Sequence, residues 1–182
     1  PDGEMMFHHD TIYKPRPHIG TLLYAIEVPS SGGNTKFTNL YKAYDALPIE
    51  IKRKIEGRSA LHLYDYDRIS ERNTAEGAGE LLENCAHPVA ITHPRSGKKA
   101  LYVNRLMTAE IQGVSHKESE DILSLMFDIA ERPEHVYEHT WTPGDLLLWD
   151  NFCSSHARTD FSNGEVRLLR RCQVEAESAP AA

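Results

Sequence analysis

Apolar, β-branched and aromatic residues gather towards the two ends of the chain, and a helical period appears only between them. Met6 to Tyr13 and Ile19 to Val28 predict two strands. Lys14-Pro-Arg-Pro17 separates them, and two prolines in so short a stretch exclude a continuous helix. Ser30-Ser-Gly-Gly33 predicts a tight loop. Asn39 stands where a cap opens a short helix through Leu47, and Pro48 suits the first turn of a second helix that Gly57 ends. Residues 58–64 return to a strand pattern. Pro88 to His93 and Ala100 to Val103 predict strands joined by the turn Pro94-Arg-Ser-Gly97. Ser115 with Glu118 has the pattern of a capping box, and Ile122, Met126 and Ile129 recur behind it at helical spacing. After Pro133 strands are predicted at 135–142, Asp145 to Trp149 and Val166 to Val174.

Strands therefore flank a helical insert, which predicts a mainly β or α+β domain and not alternating βαβ units. No internal repeat or linker divides residues 1–182, so one domain is expected. The stretch 65–84 is polar, holds Gly77 and Gly79 and has no period. It predicts a long mobile loop, of the kind that often serves as a lid. Residues 175–182 are expected to be a frayed tail.

Composition narrows the classes. About 40% of the 182 residues are apolar, enough for a core without disulfides or a structural metal. The formal charge of −7 argues against a broad phosphate-binding face, so no nucleic-acid partner is expected. No apolar run approaches the ~20 residues that cross a bilayer, so no membrane span is expected. The opening Pro-Asp-Gly-Glu has no signal-peptide pattern. Cys85, Cys153 and Cys172 are odd in number with no C-x-x-C spacing, which favours a reduced, cytoplasmic compartment.

Candidate chemistry begins with Phe7-His8-His9-Asp10. On a strand, side chains at i and i+2 share a face, so His8 and Asp10 point together and His9 points away. An imidazole beside a carboxylate is two-thirds of a facial triad for Fe(II), although an H-x-D triplet also arises often by chance. His156, after Trp149-Asp-Asn151, could supply the remaining nitrogen; alone, such a histidine is more often a hydrogen-bonded one. Arg167 and Arg171 share a strand face, and two cations facing one way need anions or solvent. His62, His93 and His139 have no ligand-spaced acid and read as structural, and nothing beside Cys153 suggests an activated thiolate. Tyr13, Tyr64, Tyr66 and Tyr102 could line a pocket, but tyrosines at such positions are more often packing.

The joint pattern says more than its parts. H-x-D is followed in order by Ser31-Gly-Gly-Asn-Thr35, Thr92-His-Pro94, Leu101-Tyr-Val-Asn104, Trp149-Asp-Asn151, His156, Arg167 and Arg171. In this the chain resembles the Fe(II)/2-oxoglutarate-dependent dioxygenases of the taurine dioxygenase and phenoxyacetate dioxygenase (TauD/TfdA) family, from Gly3 to Val174. The resemblance implies a double-stranded β-helix (jelly roll) with a helical insert. It implies His8, Asp10 and His156 as Fe(II) ligands, and Arg167 with Thr35 on the distal carboxylate of 2-oxoglutarate. Arg171 matches a position that holds the substrate's anionic group in sulfonate-using members, and Glu4 falls where some members place a substrate-contacting polar residue. The activity implied is hydroxylation of a small anionic substrate, with O2 consumed and succinate and CO2 released. Related halogenases lack the carboxylate, so Asp10 favours hydroxylation.

The chain departs from the family pattern in three places. Asn34 replaces a usual acid, with little effect expected on Thr35, and Phe7 stands where Trp is common. Only seven residues precede His8, where the family has a substantial segment, so an N-terminal segment is expected to be missing. Family members are often homo-oligomers. Two other readings remain open: a non-catalytic jelly-roll binding module with an idle metal site, and a zinc hydrolase built on two histidines and an aspartate. The first leaves a cosubstrate anchor without a use. The second leaves Arg167 and Arg171 without one, and Arg167→Gln would separate it from an oxygenase.

Overall fold

The computed structural model describes residues 4–65 and 82–182. Among these residues the chain is mainly β, with twelve strands, three α-helices and a 3-10 helix at Pro133–His135. The early strands are β1 (Met5–His8), β2 (His18–Glu27) and β3 (Thr35–Thr38), followed by α1 (Leu40–Asp45) and α2 (Ile49–Ile55). Then come β4 (Ser59–Leu63), β5 (Asn84–Pro88), β6 (Ala90–Thr92), β7 (Lys99–Leu101) and β8 (Thr108–Ile111). Helix α3 (His116–Ala130) leads into β9 (Val136–His139), β10 (Leu146–Asp150), β11 (His156–Arg158) and β12 (Leu168–Glu175).

Two antiparallel sheets combine strands from both ends of the chain. One runs β1-β11-β3-β9 and the other β10-β2-β12, while β5-β4-β8 and the β6-β7 hairpin complete the β structure. The apolar core lies to one side of the two mixed sheets. There α1 packs on α3 and β7, and α3 packs on β8. Leu40, Ile91, Leu101, Ile122, Leu123, Met126 and Phe127 fill that space. Asn39 caps α1 by accepting the Lys42 N–H, and Ser115 caps α3 by accepting the Glu118 N–H, so both predicted caps are in place. The Glu118 carboxylate turns to Lys54 (2.7 Å).

Several expectations are corrected. The first strand stops at His8, not Tyr13, because residues 11–14 turn: Thr11 has φ +55° and its carbonyl accepts the Lys14 N–H. The 135–142 strand ends at His139. No span was predicted for β3, β5 or β8, nor for β11 around His156; each is short, and none shows a clear alternation. The 175–182 tail does not fray. Ala176 and Pro180 are buried, and the Thr92 N–H donates to the Ala181 carbonyl. Of the 65–84 loop, residues 66–81, including Tyr66, lie outside the described residues, and Asn84 already belongs to β5. No described helix is long and apolar enough to cross a membrane. All three cysteines are free thiols.

Candidate functional site

A cavity of about 600 Å³ opens between the two mixed sheets. His8, Thr35 and Arg158 line it from one sheet; Leu23, Trp149, Leu169 and Arg171 line it from the other. Strand pairing explains how residues far apart in sequence meet there. His8 and His156 are partners across the β1–β11 ladder, and their ring centroids lie 4.1 Å apart.

Asp10 reaches the same place from the turn after β1. Its backbone N–H donates to Asn151 Oδ1 (2.9 Å), while Asn151 Nδ2 donates to the Asp10 carbonyl (3.0 Å) and the His18 carbonyl (2.8 Å). The Thr21 hydroxyl donates to Asp10 Oδ2 at 2.5 Å. Asp10 Oδ1 stands 4.0 Å from His156 Nε2 and 3.9 Å from Arg171 Nη1. The shared direction of His8 and Asp10 thus comes from a buried asparagine clamp on a turn, not from the alternation of a strand.

One ligand atom from each of His8, Asp10 and His156 lies within 4.8 Å of the others. His8 Nδ1 donates to the Met6 carbonyl (2.9 Å), which leaves its Nε2 lone pair free for a metal. Burial pushes the pKa values of both His8 and His156 below the ordinary imidazole value, so both rings are neutral donors at pH 7. Burial alone would raise Asp10, but the imidazoles, the Thr21 hydroxyl and Arg171 together hold it below the usual carboxylate range. Two neutral imidazoles and one carboxylate, closely grouped, fit a divalent first-row metal.

The second half of the site surrounds Arg167. Its Nε donates to the Gly33 carbonyl (2.8 Å) and its Nη2 to Thr35 Oγ1 (3.4 Å). Gly33 has φ +66°, and a Cβ there would stand 2.9 Å from Pro29 Cγ and 3.1 Å from Arg167 Cδ. That turn needs glycine on both counts. Burial, with Arg158 close by, lowers the Arg167 pKa to about 10, which leaves it cationic at neutral pH. Arg167 lines a cavity in which, among the described residues, Asp10 is the only acid, beside the cations Lys14, Arg158 and Arg171. Four cations around one cavity, two of them half-buried and two exposed, make it attractive to anions.

The structure thus brings His8, Asp10, His156, Thr35, Arg167 and Arg171 to one cavity. Glu4 is not brought there; it is exposed and pairs with Lys36 at 3.6 Å. Tyr13 and Tyr64 line the cavity as a stacked pair (5.3 Å), whereas Tyr102 is packed in the core. His9 does face away from His8, but into the interior, where Asn104 Nδ2 donates to its Nδ1. Lys14, Arg158, Thr21 and the clamp made by Asn151 were missed as site residues. Only Asn151 had a sequence signal, as part of Trp149-Asp-Asn151.

His93, Asp150 and Cys153 form a second close group. The His93 Nδ1 accepts the Arg95 and Ser96 N–H groups, so Nε2 carries the proton and donates to Asp150 Oδ2 (2.9 Å). Burial pushes the Cys153 thiol up to about 11. No lone pair of His93 is left for a metal, so this group ties the β6–β7 hairpin to β10.

The family model described as "Taurine catabolism dioxygenase TauD, TfdA family" matches residues 1–173. The (S)-phenoxypropionate/alpha-ketoglutarate-dioxygenase of Sphingobium herbicidovorans is 33% identical over 185 residues, covering 97% of this chain and 64% of that protein. The alpha-ketoglutarate-dependent 2,4-dichlorophenoxyacetate dioxygenase of Cupriavidus pinatubonensis is 30% identical, covering 93% of this chain and 59% of that protein. The crystal structure of AAD-2 in complex with Mn(II) and N-oxalylglycine superposes with a TM-score of 0.85 at 30% identity, covering 98% of this chain and 71% of that one. The chain thus spans less than two thirds of the length of these two enzymes.

Proposed function

Because the chain belongs to the TauD/TfdA dioxygenase family, we propose that it is an Fe(II)- and 2-oxoglutarate-dependent oxygenase that hydroxylates a small anionic organic molecule, releasing succinate and CO2. The observation that carries this reading is a single cavity holding both a group of two neutral imidazoles with a carboxylate and a half-buried arginine anchor. The fold proposed with it is a double-stranded β-helix, supported by two antiparallel sheets that enclose the site.

In this reading His8, Asp10 and His156 hold Fe(II). Bound there, the iron together with 2-oxoglutarate would supply the activation of O2 for attack on an unactivated C–H bond. The chain's own residues do the positioning. Asn151 fixes the Asp10 backbone and Thr21 one oxygen of its carboxylate, which leaves the other oxygen oriented towards His156. The Met6 carbonyl sets the tautomer of His8. Arg167 and Thr35 hold the distal carboxylate of 2-oxoglutarate, and the fork of Arg167 is fixed from behind by Gly33. Arg171, next to Asp10 and half-exposed, takes the substrate's anionic group at the iron side, with Lys14 at the cavity rim. The names of the two phenoxy-acid relatives support an anionic substrate, and the Mn(II) and N-oxalylglycine of AAD-2 support a divalent metal with an oxalyl-bearing acid. Substrate contact by Glu4 is withdrawn, because its carboxylate is engaged by Lys36 outside the cavity.

The test is 2-oxoglutarate turnover. Purified protein with Fe(II), ascorbate and O2, offered phenoxy acids, alkyl sulfates and sulfonates, should form succinate in step with one hydroxylated product. Succinate formation that is absent under all conditions, in folded and iron-loaded protein, would leave the idle binding module as the better reading.

A further inference from the structure

Thr35 Oγ1 is met by two donors. The Trp141 indole Nε1–H donates to it at 2.9 Å and Arg167 Nη2 at 3.4 Å. A hydroxyl oxygen has two lone pairs and one hydrogen. With both lone pairs engaged, the hydrogen is left with the one remaining direction, and Thr35 lines the cavity beside Arg167. Trp141 itself is buried and stands behind Thr35, away from the cavity wall.

The indole is held in that place by the strands. Thr35 is the cross-strand partner of His139, two residues before Trp141. The His139 ring meets the indole edge-on at 4.7 Å, and its Nε2 donates to Asp145 Oδ2 (3.1 Å). Asp145 Oδ2 also accepts the Thr142 N–H (2.8 Å), which closes the turn after Trp141. A chain of contacts thus runs from Asp145 through His139 and Trp141 to the Thr35 hydroxyl.

We propose that Trp141 is a positioning residue for the cosubstrate: its indole N–H fixes the Thr35 hydroxyl as a donor aimed at the distal carboxylate of 2-oxoglutarate. The proposal rests on the cosubstrate site described above. Without the indole donor, one lone pair of the Thr35 oxygen is released and the hydroxyl is free to rotate about its Cβ–Oγ bond. The directed hydrogen bond to the carboxylate is then lost in most of its orientations. A group that only filled space behind Thr35 would have no such dependence on its N–H.

The experiment is a double-mutant cycle on the affinity of the Fe(II)-loaded protein for 2-oxoglutarate, read anaerobically from the visible absorption of the complex. Trp141→Phe keeps the ring and removes the N–H. It should weaken 2-oxoglutarate binding about fivefold to tenfold, the worth of one hydrogen bond. It should raise the KM for 2-oxoglutarate more than that for the organic substrate. In a Thr35→Val background the same change should do nothing further, because the hydroxyl it directs is gone. Equal losses in both backgrounds, or no loss in either, would overturn the proposal.

If Trp141→Phe does not fold, the indole can be read directly, because the chain has only two tryptophans. In metal-free protein, Thr35→Val should shift one of the two indole N–H resonances and speed its exchange with solvent. Two unmoved resonances would equally overturn the proposal. A wild-type protein that binds iron but shows no saturation by 2-oxoglutarate would overturn the cosubstrate site as well. Saturable binding that is indifferent to the indole N–H would overturn only the role of Trp141.

Discussion

At the scale of single residues, the site is a set of side chains whose free valences have been narrowed to one use each. Asp10 shows this most clearly: its backbone is clamped by Asn151 and its Oδ2 by Thr21, so Oδ1 is the oxygen left towards His156. The guanidinium of Arg167 is likewise anchored through Nε, which leaves its outer nitrogens for a carboxylate. Arg167→Gln should therefore weaken 2-oxoglutarate binding by roughly 10- to 100-fold, the loss of charge-assisted hydrogen bonds, with iron affinity little changed. Equilibrium titrations of metal and cosubstrate on the same variant measure both numbers. Gly33→Ala should cost about 1–2 kcal/mol for an L-residue at φ +66°. Its methyl would also push on Arg167 Cδ, so the KM for 2-oxoglutarate should rise in the same variant. A lowered melting temperature with an unchanged KM would show that Arg167 can shift without loss.

At the scale of elements, hydrogen-bonded caps and the pairing of strands do different work. Ser115 opens α3, and Ser119 one turn later accepts the Ile111 N–H (2.8 Å), tying the helix to β8. Ser115→Ala should destabilise the protein by about 1 kcal/mol in urea titration without touching the cavity. These local signals were legible: Asn39, Pro48, Ser115 and the 94–97 turn all sit where their chemistry places them. The long strands β2, β10 and β12 were legible too, from their β-branched and aliphatic runs. The short strands were not. His156–Arg158 is three residues long and is a strand only because β1 and β3 flank it, a tertiary fact with no local pattern. The site was legible as an ordered set of motifs. It was not legible as geometry: the strand alternation expected to align His8 with Asp10 is absent, and Asn151 does that work from 141 residues away. Arg158 and Lys14 stayed hidden because nothing local marks a cation as facing a cavity.

At the scale of the whole molecule, an unusual number of histidines are buried and neutral. Burial lowers His9 to about 3 and pushes His62 and His87 below the ordinary value, with mutual repulsion adding to the effect at His62. A histidine with a lowered pKa in the fold takes up its proton first in the unfolded chain. Stability should then be full above pH 6.5 and fall as the pH drops below it towards the folded-state values. Keeping one such ring neutral at pH 5 costs about 2 kcal/mol. Metal-free protein should thus melt progressively lower between pH 7 and pH 5, and His62→Gln should flatten that slope; a pH-independent melting temperature would mean these rings reach water. The proposed function requires two things of this molecule together: Fe(II) bound through His8, Asp10 and His156, and then 2-oxoglutarate bound through Arg167. The most direct measurement is an anaerobic titration with Fe(II) followed by 2-oxoglutarate, watching the visible metal-to-ligand charge-transfer band. The account predicts that the band forms and saturates in the wild type and is abolished by His156→Ala. Folded, iron-loaded wild-type protein that gives no band, or a band that survives His156→Ala, would contradict it.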